Sequence, residues 1–195
     1  MALDTTVQKT FLEDYFNLEE SSEIKHEYRD GKLIEMTGGT TNHNAIVVAL
    51  VSYLFFGLQG KNAQVFSGDV RLWIPQHNLF TYPDIMVVSE DVEYYENRQD
   101  TILNPSLIVE VLSKSTKAYD KTDKFDFYRS LPSFLEYLVI DQYRCSVEQY
   151  VKRDEGKWSI TYYELEEDSL NLGAFDITLR LQNIYTNVNF ESLES

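Results

Sequence analysis

Tyr82-Pro83-Asp84-Ile85-Met86-Val87-Val88 places a Pro-Asp pair directly before four consecutive apolar residues. A short apolar run of this kind reads as a buried strand. A carboxylate at the mouth of such a strand is costly to desolvate, so Asp84 either makes a turn or cap or holds a cation. The next apolar run, Leu107-Ile108-Val109-Glu110-Val111-Leu112, carries a second carboxylate in its middle. If the two strands are neighbours, Asp84 and Glu110 can point at one spot. Two buried anions there repel unless a cation lies between them. Magnesium fits, because it takes oxygen ligands, keeps several waters and uses one or two carboxylates plus a substrate phosphate. Taken singly, each has a plainer reading: Pro-Asp as a turn, and Glu110 facing solvent on an edge strand.

Outward from these two strands, the order is helix, sheet, helix, sheet around one core, which reads as a single α/β or α+β domain over residues 1–195. Residues 7–19 read as a helix with Phe11, Tyr15 and Leu18 on one face, and Asp30-Gly31 marks a hairpin. Residues 45–58 are apolar apart from Ser52, too short to span a bilayer, and read as a buried core helix. Val65, Val70, Leu72 and Ile74 suggest one bent strand with a bulge near Gly68. Residues 92–105 read as a polar surface connection, and residues 116–130 as one amphipathic helix. Strands follow at 134–141, 145–151 and 157–165, then a short strand and a final helical turn.

With 43% hydrophobic and 14% aromatic residues the chain can build a packed core. Its one cysteine, Cys145, excludes a disulfide framework and a cysteine-rich zinc site. The three histidines lack the i, i+4 spacing of a helical metal motif. No basic segment leads into an apolar run at the N-terminus, so a cytoplasmic protein is expected. A net charge of −15 argues against nonspecific coating of nucleic acid. It leaves room for a local basic patch, or for a metal that bridges to phosphate.

Pro-Asp, a strand, a connection and then Glu 26 positions further on resembles the PD-(D/E)XK, restriction-endonuclease-like superfamily. Over nearly the whole chain, EYRDGKLIEM (27–36), NHN (42–44), VFSGDVRLWIP (65–75), YPDIMVV (82–88), IVEVLSKST (108–116), YDKTDKFDFY (119–128) and FLEYLVID (134–141) resemble the bacterial Uma-type restriction endonucleases. The resemblance implies a mixed central sheet flanked by helices, with additional antiparallel strands. It also implies DNA hydrolysis dependent on Mg2+ or Mn2+, with Asp84, Glu110 and the Val111 carbonyl as metal ligands. A homodimer is consistent with it, since cutting both strands of a duplex often needs two sites.

The superfamily's lysine position is Leu112 here, which cannot donate a proton. The resemblance suggests that the lysine has moved to the following helix, where Lys121 and Lys124 stand i, i+3 and share a face. Lys124 has the family-like spacing from Asp120 and is the preferred catalytic residue. The plainer reading pairs these lysines with Asp120, Asp123 and Asp126 on a solvated face. Glu27 is a candidate third carboxylate. His43 either contacts phosphate or caps its helix, the cap being favoured. Asp69 reads as a bulge residue, and Tyr94-Tyr95 as loop packing, an oligomer contact or a base-stacking pair. Two other functions share these residues: a nuclease-like module that binds nucleic acid or a partner protein without catalysis, and a glycosidase with its carboxyl groups about 5 to 9.5 Å apart.

Overall fold

Helix α1 (Leu12–Ser21) lays Tyr15 against Phe16, Tyr28 and Phe80, with Tyr15 fully buried. The computed structural model describes residues 10–36 and 38–190, so the predicted helical residues 7–9 lie outside the described residues. Phe11 is exposed rather than on the packed face, because it precedes the first helical turn. Strands β1 (His26–Arg29) and β2 (Lys32–Glu35) form the expected hairpin. Asp30 and Gly31 both have positive φ, 47° and 87°, as the two-residue turn matching strand twist requires.

Helix α2 (Thr41–Gly57) seats Ile46, Leu50 and Leu54, spaced i, i+4, on the core. It is not buried all round, as the sequence suggested. Val48, Phe55 and Phe56 remain 57%, 57% and 68% exposed, because only one side of the helix meets the sheet. With apolar residues on every side, its sequence has no periodicity from which to read the packed face.

The predicted bent strand is two strands, β3 (Gln64–Ser67) and β4 (Arg71–Ile74), in different sheets. Gly68, at φ 64°, lies between them. After β5 (Leu79–Thr81), residues 82–84 carry the chain back to the first of these sheets as β6 (Ile85–Val88). The predicted polar connection holds two more strands, β7 (Tyr94–Tyr95) and β8 (Arg98–Ile102), and Tyr95 packs against Phe16, Trp73 and Phe80. Strand β9 (Leu107–Leu112) leads to two short helices, α3 (Lys117–Lys121) and α4 (Asp123–Tyr128). The predicted single helix breaks at Thr122, whose φ −119°, ψ −84° is not helical. The chain closes with β10 (Glu136–Asp141), β11 (Val147–Lys152), β12 (Trp158–Tyr163), β13 (Ser169–Leu172), β14 (Ile177–Arg180) and α5 (Leu181–Ile184).

The central sheet has the order β12-β11-β10-β9-β6-β3 and is mixed, because β9 and β10 run parallel while its other pairs are antiparallel. A second sheet, β2-β1-β5-β4-β8-β7, and the β13-β14 hairpin complete the fold. Side chains alternate across the central sheet. Ile85, Val87, Val109, Val111, Leu138 and Ile140 face α2. Met86, Val88, Ile108, Leu112, Tyr137 and Val139 face Tyr128 and Phe134, together with Leu72, Ile74 and Leu79 of the second sheet. Among the described residues no helix is long and apolar enough to cross a membrane.

Candidate active site

Strands β6 and β9 pair antiparallel, Ile85 with Val109 and Met86 with Ile108. One step further along that register sets Asp84 opposite Glu110. Asp84 stands just beyond the ladder, where its Oδ2 accepts the Val111 N–H at 2.7 Å and so takes the place of a backbone partner. Glu110 pairs with Val139 of β10 and alternates with Ile108 and Leu112, so it lies on the aromatic face of the sheet.

Glu110 is buried there and satisfied by α4. Its Oε1 accepts from Lys124 Nζ at 3.0 Å and from the Tyr128 hydroxyl at 2.6 Å. Lys124, itself buried, also lies 3.0 Å from Asp120 Oδ1. That contact is an ion pair without good hydrogen-bond alignment, so Asp120 Oδ1 is a buried acceptor lacking a hydrogen-bond donor. Lys121 does not join Lys124: the break at Thr122 turns it toward Glu148 on β11, with which it pairs. The expectation that both lysines share a face is corrected by this kink.

Glu27 is buried on β1. It accepts from Thr81 at 2.8 Å and from the Tyr119 hydroxyl at 2.5 Å, and Lys124 Nζ lies 5.7 Å from the Tyr119 ring centre. His43 does not cap its helix with its side chain. Thr40 is the cap, accepting the His43 N–H at 3.2 Å, and the imidazole instead reaches Asp84 Oδ1 with Nε2 at 3.1 Å. Asp69 is exposed and paired with Lys25. Tyr128, Tyr119 and Thr40 were not singled out from the sequence. The spacing Asp120, Lys124, Tyr128 (i, i+4, i+8) was a legible signal for Tyr128.

Burial pushes Glu110 up to about 8, with the Asp84 and Asp120 carboxylates adding to the rise against Lys124 and the Tyr128 hydrogen bond. Burial also pulls Lys124 down, but Glu110, Asp120 and Glu27 outweigh it and hold the amine above its usual value. Lys124 therefore stays cationic, and Glu110 is the member of the pair that takes up a proton. For His43, burial works against protonation, yet the bond and charge of Asp84 raise the imidazole above its ordinary value.

Two carboxylates, Asp84 and Glu110, on adjacent strands suit a divalent ion that completes its shell with water and phosphate. Asp120 Oδ1, buried without a donor, adds negative character close by. The donor set therefore fits such an ion. Among the described residues no three His, Cys, Asp or Glu side chains are already gathered as a preformed cage.

This mixed sheet, with helices on its faces, is the α/β architecture expected of a restriction-endonuclease-like fold. It superposes on the crystal structure of a putative nuclease belonging to DUF820 from Anabaena variabilis with a TM-score of 0.69 and 18% identity, covering 85% of this chain and 92% of that one. The profile of Uma2, described as "putative restriction endonuclease", matches residues 12–182, and the chain belongs to that family. It is 38% identical over 148 residues to uncharacterized protein sll1609 of Synechocystis sp., covering 76% of this chain and 84% of that protein. It is 33% identical over 180 residues to uncharacterized protein slr1290 of the same organism, covering 91% and 92%.

Proposed function

We propose that this protein is a metal-dependent nuclease that hydrolyses phosphodiester bonds in DNA. The observation that carries the reading is the buried Lys124–Glu110 pair, opposite Asp84 at one step beyond the β6–β9 ladder. Leu112 holds the superfamily's lysine position, yet an amine reaches the second carboxylate from the following helix. Asp84, Glu110 and the Val111 carbonyl would hold Mg2+ or Mn2+. When bound, such an ion lowers the pKa of a coordinated water and neutralises phosphate charge. Lys124 orients the attacking water or stabilises developing charge, and its fixed cationic state suits that role. Tyr128 holds the Glu110 carboxylate in place. His43 orients Asp84 and is a candidate phosphate contact; Glu27 and Lys121 stand further out, Glu27 beside Tyr119 and Lys121 on Glu148.

The test is nicking of supercoiled plasmid by the full chain with Mg2+, with Mn2+ and with EDTA. Cleavage that needs the metal is expected, and no cleavage with either metal across several DNA substrates would overturn the reading. A nuclease-like module that binds nucleic acid or a partner protein without catalysis is the second reading, favoured by the charge of −15 and by Leu112 at the superfamily's lysine position. We place the protein in the cytoplasm as one domain. It acts as a homodimer, two copies meeting across the exposed face of α2, a helix without Asp, Glu, Lys or Arg on a strongly acidic chain. Phe56→Glu is expected to lower the sedimenting mass to that of the monomer, and an unchanged mass would remove that interface.

A further inference from the structure

Beyond Glu110, β9 runs into Ser113 and Lys114, and its parallel neighbour β10 ends at Asp141, the register partner of Leu112. Asp141 is therefore on the same face of the sheet as Glu110. Two residues of rise and one strand step put it roughly 8 Å away. Its side chain is only 5% exposed, yet it anchors two cations that are far more open. Lys117 Nζ lies 3.0 Å and Arg144 Nε 3.5 Å from Asp141 Oδ2, and the side chains of Lys117 and Arg144 are 46% and 61% exposed. Asp141 Oδ1 meanwhile accepts the Tyr143 N–H at 2.9 Å. The Tyr143 hydroxyl accepts the Lys114 N–H at 3.2 Å, and Lys114 Nζ lies 5.7 Å from the Tyr143 ring centre. One buried carboxylate thus organises a connected, outward-facing group of three cations at the carboxyl end of the strands that carry the site.

A purely structural salt bridge needs one cation for one carboxylate. Here three cations share Asp141 and the aromatic ring beside it, so the rim keeps positive charge on a chain whose net charge is −15. Resting on the nuclease reading, we infer that Lys114, Lys117 and Arg144, positioned by Asp141 and Tyr143, form the contact for the phosphodiester backbone of a nucleic acid strand flanking the phosphate at Asp84 and Glu110. The contact reads backbone charge and not base sequence, since it consists of cations and one ring. An acidic protein needs such a local rim to approach a polyanion, because its remaining surface repels one.

The test is binding of a fluorescent duplex DNA, and of a single strand, by the full chain in EDTA, with affinity followed against salt. Each phosphate contact contributes a slope of about −0.9 on duplex and about −0.7 on a single strand in log affinity against log salt. Lys114→Ala with Arg144→Ala is expected to flatten the duplex slope by about 1.8. Asp141→Asn, which releases the two cations without removing them, is expected to weaken binding while changing the slope less. Arg153→Ala with Lys157→Ala, at the turn near the opposite end of β10, is expected to leave the slope unchanged. Equal slopes for the rim and control variants, or no binding by the wild type, would overturn the inference. Plasmid cleavage separates this from the nuclease reading. Cleavage with an unchanged rim slope removes the rim alone, whereas a flattened rim slope without cleavage removes catalysis and keeps the rim.

Discussion

The two faces of the central sheet are made from the same strands and differ in what they exclude. Toward α2, β6 and β9 present only Ile, Val and Leu, and β10 presents Leu138 and Ile140 beside Glu136, which accepts the Gly173 N–H at its edge; the apolar side chains pack against Ile46, Leu50 and Leu54. Toward α3 and α4, the alternate residues of those strands include Glu110, with Asp84 at the ladder's end, and Tyr128 and Lys124 descend on them. Burial is similar on both sides, but one face is sealed mainly by apolar contact and the other by a polar network in which Glu110 is hydrogen-bonded and Asp120 Oδ1 lacks a donor. Such a network costs stability relative to an apolar core. It is therefore the face where retained charge calls for a use, and in the nuclease reading it is the reacting face.

Lys124→Met removes the amine while keeping much of its volume. Cleavage is expected to fall about 10²–10³-fold, with circular dichroism showing the fold retained. Wild-type rates in a folded variant would make Lys124 a structural partner of Glu110 and nothing more. On the sealed face, Leu50→Ala is expected to cost about 2–5 kcal/mol in urea unfolding, with cleavage per folded molecule unchanged. A selective loss of cleavage there would show that the faces are not independent.

The polar face also carries a pH signature. Glu110 rises from 4.5 to about 8 on folding, so in the metal-free protein its contribution to stability is complete below about pH 4.5 and is lost as pH rises through about 8. The stability difference between wild type and Glu110→Gln should move in that window, in the direction of wild type losing ground as pH rises. A pH-independent difference would show that Glu110 ionises as freely in the fold as outside it. The smallest effect is expected at Thr40, which caps α2 beside His43 and hydrogen-bonds Gln142. Thr40→Ala should cost about 1 kcal/mol in thermal or urea unfolding, and no change would mean the cap is replaced by solvent.

The sequence made the apolar strands and the Asp30-Gly31 hairpin legible, because four-residue apolar runs and turns with two positive φ angles have few alternatives. It also drew attention to Asp84, Glu110 and Lys124 as a group. It hid what depends on long-range pairing. The switch of sheets at Gly68, the strands inside 92–105 and the break at Thr122 all follow from partners distant in the chain. The break matters most, since helical spacing alone put Lys121 beside Lys124, and the kink sends it to Glu148. The same holds for His43: a helix cap is legible locally, but the Asp84 carboxylate that the imidazole reaches is 41 positions away.

The proposal that Asp84, Glu110 and Lys124 form one phosphodiester-cleaving site is tested most directly by comparing wild type with Asp84→Ala in Mn2+-supported nicking of supercoiled plasmid, at equal folded concentration. The wild type should nick the plasmid and lose that activity in EDTA. Asp84→Ala should fall by more than the about 10²–10³-fold typical of removing one transition-state donor. Equal nicking by both proteins, or none by the wild type, would contradict it.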